Sequence, residues 1–308
     1  MEKIPVIVVA GPTASGKTAL AVELAKRLDG EIISADSMQI YKYMDIGTAK
    51  PTPEERAGIP HHLMDFLDPG APFSVAEFVE LAHQAAADIH NRGKLPILAG
   101  GTGLYIEAFI NDVAFRKDDG DPELRGMLQY IADVQGAEAL MELLQGFDPA
   151  SAERLHPNNR RRIIRAIEFY LMTGTPISAH QEETKQKESR YAPLFLAVEW
   201  ERAELYARID KRVELMVEAG LFDEVRKLAG MGYRKAMLSM QGIGYRQVLN
   251  YLRGFATKAE TVRIIQRDSR RYAKRQMTWF RREKRIYWLK AGEGLADRAM
   301  ERITEAGF

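Results

Sequence analysis

An eight-residue loop near the beginning of the chain constrains its fold more than any other feature. Residues 11–18 read Gly-Pro-Thr-Ala-Ser-Gly-Lys-Thr and fit the phosphate-loop pattern G-x-x-x-x-G-K-[ST] at every fixed position. The apolar run Ile4–Ala10 predicts a buried strand before the loop, and the amphipathic run Ala19–Leu28 predicts a helix after it. Glycine lets the backbone N–H groups of such a loop surround a phosphate, to which the helix presents its positive end. The chain is therefore predicted to bind a di- or triphosphate.

The side chains of this loop add charge and a metal ligand to the backbone N–H groups. Lys17 contributes a positive charge, and the hydroxyl of Thr18 is suited to Mg²⁺ held together with the phosphates. The predicted phosphate-binding residues are Gly11, Pro12, Thr13, Ala14, Ser15, Gly16, Lys17 and Thr18.

Predicted strands and helices alternate over about the first hundred residues. Further strands are predicted at Glu31–Asp36 and Leu95–Ala99, and a helix is predicted to run from Ser74 to about Asn91. Ser74 and Glu77 form a capping box at the start of that helix. This alternation implies right-handed crossovers and a parallel sheet covered on both faces. The predicted fold class is α/β, with a P-loop parallel sheet flanked by helices.

The alternation is interrupted in the middle of the chain by a segment that predicts helices alone. No strand pattern occurs from about Arg116 to Tyr191, and the polar run Gln181–Arg190 predicts a flexible connection. Sheet character returns at Pro193–Trp200, and a long helix from about Lys258 to Lys284 follows. We therefore predict a discontinuous P-loop core, residues 1–115 and 191–308, and a small all-helical insertion domain, residues 116–190.

The composition excludes several classes of protein. The 308 residues include no cysteine, which rules out disulfides, thiolate zinc sites and cysteine nucleophiles. No apolar stretch is long enough to cross a bilayer, and the N-terminus carries no signal-peptide pattern. We therefore expect a cytoplasmic protein with no membrane partner.

The basic residues are clustered although the net charge is only +1. Ten lysines and arginines lie between Arg263 and Arg285, opposed by Asp268 and Glu283. Four more arginines lie within Arg160–Arg165. Aromatic residues interleave with the longer cluster and either stack on bases or pack in the core. Clustered arginines of this kind indicate a surface that binds a polyanion.

An acidic residue at the end of the second predicted strand is the candidate catalytic group. Asp36 lies where ligands bind in open parallel sheets. Beside a phosphate loop such a carboxylate serves as a general base or a metal ligand, and capping of a helix N-terminus is the structural alternative. The turn Gly100–Gly103 follows a strand that could carry a Walker-B acid, yet contains no Asp or Glu. Because ATP hydrolysis uses that acid to hold Mg²⁺, its absence argues against an ordinary ATPase.

Six further motifs follow the phosphate loop in a fixed order. They are Ile33–Tyr41, Met44–Pro51, Gly100–Tyr105, Arg161–Glu168, Gln241–Arg246 and Ala273–Trp279. Together with the loop they closely resemble the bacterial tRNA dimethylallyltransferases, also called tRNA isopentenyltransferases, over the whole chain. Enzymes of this family transfer the dimethylallyl group of dimethylallyl diphosphate to N6 of the adenosine immediately 3′ of the anticodon. The acceptors are tRNAs that read codons beginning with U, and pyrophosphate is released.

The resemblance implies a role for each candidate residue. Mg²⁺, Lys17 and Thr18 would neutralise the charge that grows on pyrophosphate, and Arg212 would join them. Asp36 would take the N6 proton as general base. The residues implied to contact tRNA are Asp36, Ser37, Met38, Gln39, Thr102, Arg125, Arg161, Arg162, Ile163, Ile164, Arg165, Gln241, Gly242, Ile243, Gly244, Tyr245 and Arg246. The helical insertion and the P-loop core would hold the anticodon stem-loop, and we expect a monomer.

Two other functions fit part of the sequence. A phosphate-loop kinase acting on a small molecule or a nucleoside would use ATP and place Asp36 as base on a hydroxyl. The missing Walker-B acid and the basic helix argue against that kinase. A non-catalytic RNA-binding protein controlled by a nucleotide would explain the basic surface, but not the acid beside the phosphate loop.

Overall fold

Residues 3–113, 120–186 and 188–308 are described by the computed structural model, and within them the chain forms a six-stranded parallel sheet flanked by helices. The strands are β1 (Ile4–Ala10), β2 (Gly30–Ser34), β3 (His61–His62), β4 (Leu95–Gly100), β5 (Tyr191–Glu199) and β6 (Ile286–Lys290). The helices are α1 (Lys17–Arg27), α2 (Pro53–Arg56), α3 (Val75–Asn91), α4 (Gly103–Ile110), α5 (Pro122–Val134), α6 (Ala137–Phe147), α7 (Pro149–Arg154), α8 (Arg160–Thr173), α9 (Ile177–Gln186), α10 (Arg202–Glu218), α11 (Leu221–Gly230), α12 (Tyr245–Leu252), α13 (Lys258–Phe280) and α14 (Leu295–Glu305), with a short 3₁₀ helix at Ser239–Gln241.

The sheet has the strand order β3-β2-β4-β1-β5-β6, and all of its neighbouring strands are parallel. In the centre, β1 pairs with β4, where Ile7 lies opposite Ile97, and with β5, where Val8 lies opposite Phe195. The five residues from Val6 to Ala10 are fully buried, as expected of a parallel strand covered on both faces. The predicted fold class, an α/β P-loop sheet flanked by helices with a small helical insertion, is confirmed.

The carboxyl ends of four neighbouring strands meet at one edge of this sheet. The phosphate loop follows β1, the turn with Asp36 follows β2, the glycine-rich turn at Gly101 follows β4, and Trp200 follows β5. Since parallel strands run in the same direction, segments distant in sequence come together at this edge. The site described below is built there.

Two long helices of the core begin at capping boxes. Ser74 accepts a hydrogen bond from the Glu77 backbone N–H and starts α3 as predicted. Thr257 and Glu260 do the same for α13, which ends at Phe280, four residues before the predicted end. Arg263, Arg267, Arg271 and Arg275 of α13 are exposed, while Ile265, Ala273 and Phe280 are buried. None of the helices in the described ranges is long and apolar enough to span a bilayer.

The chain divides into two compact units, Met1–Ile110 with Ser189–Phe308, and Asn111–Glu188. The second unit contains α5 to α9 around an apolar core that includes Leu140, Leu144 and Ile167. Its α9 continues to Gln186, so the predicted flexible connection at Gln181–Arg190 is wrong over its first six residues. Glutamate, glutamine and lysine are good helix formers, and neither glycine nor proline interrupts this stretch.

Candidate active site

A cleft of about 390 Å³ opens at the carboxyl edge of the sheet. It is bounded by the phosphate loop, the turn after β2, the loop Gly47–Ala49, α10, the segment before α12, and α13. The predicted site residues that line it are Thr13, Lys17, Thr18, Asp36, Ser37, Met38, Gln39, Arg212, Gln241, Gly242, Ile243, Gly244 and Arg246. The structure therefore brings members of the candidate phosphate-binding, base and core tRNA-binding sets into one cavity. Thr102 and Tyr245 of the core set are not among its lining residues.

The phosphate loop is held in shape from outside by side chains of the core. Gly16 has a φ of 88° and immediately precedes α1, a left-handed conformation that glycine adopts without strain. Arg208 donates to the Ala14 carbonyl at 3.0 Å, and the indole of Trp200 donates to the Ser15 carbonyl at 2.9 Å. The guanidinium of Arg208 also lies over the Trp200 ring. Because these carbonyls are bound from outside, the loop is fixed before any ligand enters.

The other loop residues contribute backbone rather than lining side chains. Of the eight predicted phosphate ligands, Thr13, Lys17 and Thr18 line the cleft. The remaining five form the curve of the loop: Gly11, Pro12, Ala14, Ser15 and Gly16.

Burial destabilises the charged forms of two cations that line the cleft, Lys17 and Arg212. Burial, and then the neighbouring Arg212, lower the pKa of Lys17 from its ordinary value to about 8. Burial also lowers the pKa of Arg212, whose guanidinium donates to the Thr13 hydroxyl at 3.3 Å. Asp36 raises both pKa values, but burial outweighs it. A bound anion would stabilise both charged side chains, so the cleft is chemically suited to an anionic group.

Asp36 organises its own turn through one carboxylate oxygen. Oδ1 accepts hydrogen bonds from the backbone N–H groups of Met38 at 2.9 Å and Gln39 at 3.4 Å. Oδ2 has no hydrogen bond within the part of the chain that the structure describes. Thr102 supports the turn because its hydroxyl accepts from the Ser37 N–H at 3.1 Å. Asp36 therefore caps a turn rather than a helix, and it lines the cleft with a carboxylate oxygen to spare.

Helix α13 supplies five cleft residues that the sequence interpretation did not assign to the site: Ile265, Ser269, Tyr272, Arg275 and Gln276. Gln276 is buried and accepts from the Thr13 N–H at 3.0 Å while donating to the Gly101 carbonyl at 2.8 Å. It thus joins the phosphate loop to the turn after β4. Burial, and then the Asp36 carboxylate, raise the pKa of Tyr272 to about 12. The motif Ala273–Trp279 was the signal that could have pointed to this helix.

The predicted tRNA-binding segment Gln241–Arg246, which includes the first two residues of α12, contributes all but one of its residues to the cleft. Gln241–Gly244 and Arg246 line it. Tyr245 is fully buried, and its hydroxyl donates to Glu224 at 2.7 Å. The prediction that Tyr245 contacts tRNA directly therefore does not fit the structure, because its ring has no exposed surface.

The predicted tRNA-binding residues of the helical unit fall into three groups. Arg161 and Arg162 are exposed on α8. Arg125 and Arg165 are half-exposed, and both pair with the fully buried Glu168, at 2.6 and 2.9 Å. The remaining two, Ile163 and Ile164, are buried in the apolar core of the unit. Their side chains cannot reach a ligand, so direct contact by these isoleucines is corrected to a packing role.

The chain is similar to known proteins both in sequence and in structure. The family described as "IPP transferase" matches residues 39–283, and that described as "Isopentenyl transferase" matches residues 4–68. A tRNA dimethylallyltransferase of Acetivibrio thermocellus is 54% identical over 288 residues, which cover 94% of this chain and 92% of that protein. One of Carboxydothermus hydrogenoformans is 48% identical over 302 residues, which cover 98% and 97%.

Solved structures give the same result. The full-length tRNA isopentenylpyrophosphate transferase of Bacillus halodurans matches with a TM-score of 0.74 at 42% identity, covering 99% of this chain and 97% of that one. A eukaryotic dimethylallyltransferase acting on tRNA matches with a TM-score of 0.83 at 31% identity, covering 94% and 74%.

These matches confirm the family resemblance inferred from the motifs and do not favour the kinase alternative. They extend over nearly the whole chain, so they concern the helical unit as well as the P-loop core. The chain belongs to the tRNA dimethylallyltransferase family.

Proposed function

We propose that the protein transfers the dimethylallyl group of dimethylallyl diphosphate to N6 of the adenosine immediately 3′ of the anticodon, in tRNAs that read U-initial codons. One observation carries the proposal: a single cleft holds the cations Lys17 and Arg212 together with the carboxylate of Asp36. The reaction needs both kinds of group, because the donor loses an anion while the acceptor nitrogen loses a proton. The chain is thus a prenyltransferase that acts on tRNA.

The donor diphosphate is proposed to bind in the phosphate loop. Backbone N–H groups at the start of α1, Lys17 and Arg212 would stabilise its oxygens. As N6 bonds to the allylic carbon, the carbon–oxygen bond breaks and its electrons leave with pyrophosphate. These groups therefore stabilise the negative charge that develops on the leaving group.

Mg²⁺ is proposed as the metal, and the donor set of the cleft fits it. Thr18 offers a hydroxyl that lines the cleft at the proposed diphosphate site. No group of three or more His, Asp or Glu residues suited to a metal exists in the described ranges. Mg²⁺ is commonly bound by one or two protein oxygens together with phosphate oxygens and water, so the Thr18 hydroxyl beside a bound diphosphate is a suitable ligand. When bound, it would supply further positive charge to the departing pyrophosphate.

Asp36 is proposed as the general base. Its Oδ1 is engaged by the turn, which fixes the direction of the carboxylate, while Oδ2 is free of hydrogen bonds within the described ranges. The carboxylate would take the proton that N6 loses as the new bond forms. An adenosine in a single-stranded loop can leave its stack at modest cost, so the base can enter a pocket of this kind.

The tRNA is proposed to bind through its anticodon stem-loop. The turn Asp36–Gln39, with Thr102 beneath it, and the segment Gln241–Arg246 would contact it in the core. The helical unit would contribute Arg161 and Arg162, which are exposed. We also propose that the protein acts as a monomer, in the cytoplasm.

The test of this function mixes the protein, Mg²⁺ and dimethylallyl diphosphate with an unmodified tRNA that reads a U-initial codon. Digestion of the tRNA to nucleosides and mass spectrometry should reveal N6-dimethylallyl adenosine. A parallel reaction containing ATP in place of the donor tests the kinase. Phosphoryl transfer to a small acceptor, without any modified adenosine, would replace the present proposal with that one.

A further inference from the structure

The carboxylate of Glu224 on α11 collects four hydrogen bonds from two other segments of the core. Oε2 accepts from the backbone N–H groups of Asp45 at 2.9 Å and Ile46 at 2.8 Å. Oε1 accepts from the N–H of Gly47 at 3.0 Å and from the hydroxyl of Tyr245 at 2.7 Å. Three successive N–H groups around an anion form a nest, which is a strong arrangement for a carboxylate. Glu224 thus ties the loop 45–49 to the start of α12.

Tyr245 and Gly47 make this junction tight. A Cβ at Gly47 would lie 2.5 Å from the ring of Tyr245, so only glycine allows the loop to approach the ring. Tyr245 is fully buried, and burial together with Glu224 raises the pKa of its hydroxyl well above the ordinary value. The hydroxyl therefore stays protonated and continues to donate to Glu224 at any pH at which the enzyme would work.

The loop that Glu224 holds is part of the cleft wall. Gly47, Thr48 and Ala49 line the cleft. The carbonyls of Thr48 and Ala49 accept from the side-chain amide of Gln39 at 3.3 and 3.1 Å. Gln39 belongs to the turn that Asp36 organises. If the loop 45–49 shifted, the hydrogen bonds of Gln39 to Thr48 and Ala49 would also displace the turn that carries the proposed base, Asp36.

The segment 241–246 forms a third part of this cleft wall and packs against the turn 36–39. Gly242 lies so close to Met38 that a Cβ on the glycine would be 2.6 Å from the methionine methyl group. Loop 45–49 makes no hydrogen bond to the phosphate loop within the residues that the structure describes. Glu224 thus acts on the wall formed by residues 36–39, 45–49 and 241–246, and not on the donor site.

We propose that Glu224 is a positioning residue for the acceptor: it sets the spacing between the base-carrying turn and the segment before α12, where the adenosine and its neighbours would enter. The proposal rests on the proposed function. Tyr245 holds the Glu224 carboxylate in place through its hydroxyl and does not contact tRNA itself. Nothing in the reaction requires Glu224 to contact either substrate.

The test compares Glu224→Gln with Asp223→Asn, a matched control on the same helix whose exposed carboxylate pairs with Arg226. In Glu224→Gln, one oxygen becomes an NH₂ group that faces backbone N–H donors, so the loop must shift. We expect kcat/KM for tRNA to fall by about 10- to 100-fold, as for small displacements of reacting groups. Donor affinity, measured by calorimetry with dimethylallyl diphosphate, should stay within about twofold, since no bond to the phosphate loop is lost.

Two further variants separate positioning from general damage. Gly47→Ala, which forces the loop away from Tyr245, should reproduce the tRNA-specific loss. Glu224→Asp keeps the charge and should recover part of the activity. A Glu224→Gln enzyme as active as wild type would overturn the inference, and so would an equal loss in donor affinity and in tRNA use. If the wild type itself makes no modified adenosine, the proposed function fails and this inference with it.

Discussion

At the scale of single residues, the two oxygens of the Asp36 carboxylate differ in their hydrogen bonds. Oδ1 accepts two hydrogen bonds from the turn, and Oδ2 accepts none from the residues that the structure describes; the proposed base role falls to Oδ2. Asp36→Asn preserves an oxygen that can accept from the turn but removes the basicity. We expect the single-turnover rate of transfer to fall by about 10²- to 10⁴-fold, the usual contribution of a general base.

The affinity of Asp36→Asn for tRNA, measured by filter binding, provides the check on this reading. It should stay within a few-fold of wild type, because the turn and the segment Gln241–Arg246 keep their contacts. Transfer at the normal rate would remove Asp36 as the base. A large loss of tRNA affinity would instead indicate that the carboxylate serves binding.

Lys17 gives a prediction about pH. Its pKa is lowered by burial to about 8, so the free protein loses this charge as the pH rises through that value. The diphosphate favours the charged form, so its affinity should be highest below the pKa and fall by up to about tenfold per pH unit above it. Calorimetric titrations of dimethylallyl diphosphate on both sides of the pKa measure this. Lys17→Met should bind more weakly and show no break there; a break that persists would assign the titration to another group.

Residue roles were predictable only where the pattern also fixes the direction of the side chain. A run such as Arg161–Arg165 covers both faces of a helix, so its arginines reach solvent while Ile163 and Ile164 enter the core. Tyr245 likewise stands in a motif that lines the cleft, but its ring is turned toward Gly47. A motif identifies the segment that forms the site. Whether one of its side chains can contact a ligand depends on the direction in which that side chain points, which only the packed structure shows.

At the scale of elements, α13 is the helix that joins the phosphate loop to the turn after β4. Gln276 bonds the Thr13 N–H and the Gly101 carbonyl, and Thr102 beside Gly101 supports the turn with Asp36. Gln276→Ala leaves the buried carbonyl without its donor, so the free energy of unfolding should fall by about 1–3 kcal/mol.

Urea unfolding of Gln276→Ala measures that loss. Thr278→Ala is the matched control, because Thr278 is exposed on the same helix and its hydroxyl donates to the Lys274 carbonyl one turn earlier. Gln276→Ala should also bind dimethylallyl diphosphate more weakly, since the Thr13 N–H of the phosphate loop loses its hydrogen-bond acceptor. Unchanged stability and unchanged donor affinity together would mean that water replaces the amide without cost.

The elements themselves were predicted to different degrees for physical reasons. Strand β1 has its predicted bounds and β4 is one residue longer than predicted, because both are apolar runs bounded by glycine or polar residues. The two-residue strand β3 has no hydrophobic pattern and exists because Ile32 and Ile33 of β2 offer it a partner. The polar helix α9 shows no periodic apolar face, so its sequence resembled a linker.

At the scale of the whole molecule, the cleft gathers residues from widely separated parts of one unit. Thr13 and Gln276 are 263 positions apart and share a hydrogen bond. No spacing rule predicts such a contact, and the ordered set of motifs succeeded only because it matches a family. The phosphate loop alone predicted the class of ligand, while the acceptor could be inferred only from that resemblance.

The helical unit yields the last prediction, which concerns the salt dependence of tRNA binding. Arg161 and Arg162 are exposed on α8. Each arginine that neutralises a phosphate releases about one counterion, so Arg161→Gln with Arg162→Gln should reduce the slope of log K against log salt by about two. Arg154→Gln is the control in the same unit, since this exposed arginine donates to the carbonyl of Ala150 on its own helix. If the double variant keeps the wild-type slope, these arginines face away from the tRNA. The acceptor would then be held by the P-loop core alone, through the cleft wall and the basic face of α13.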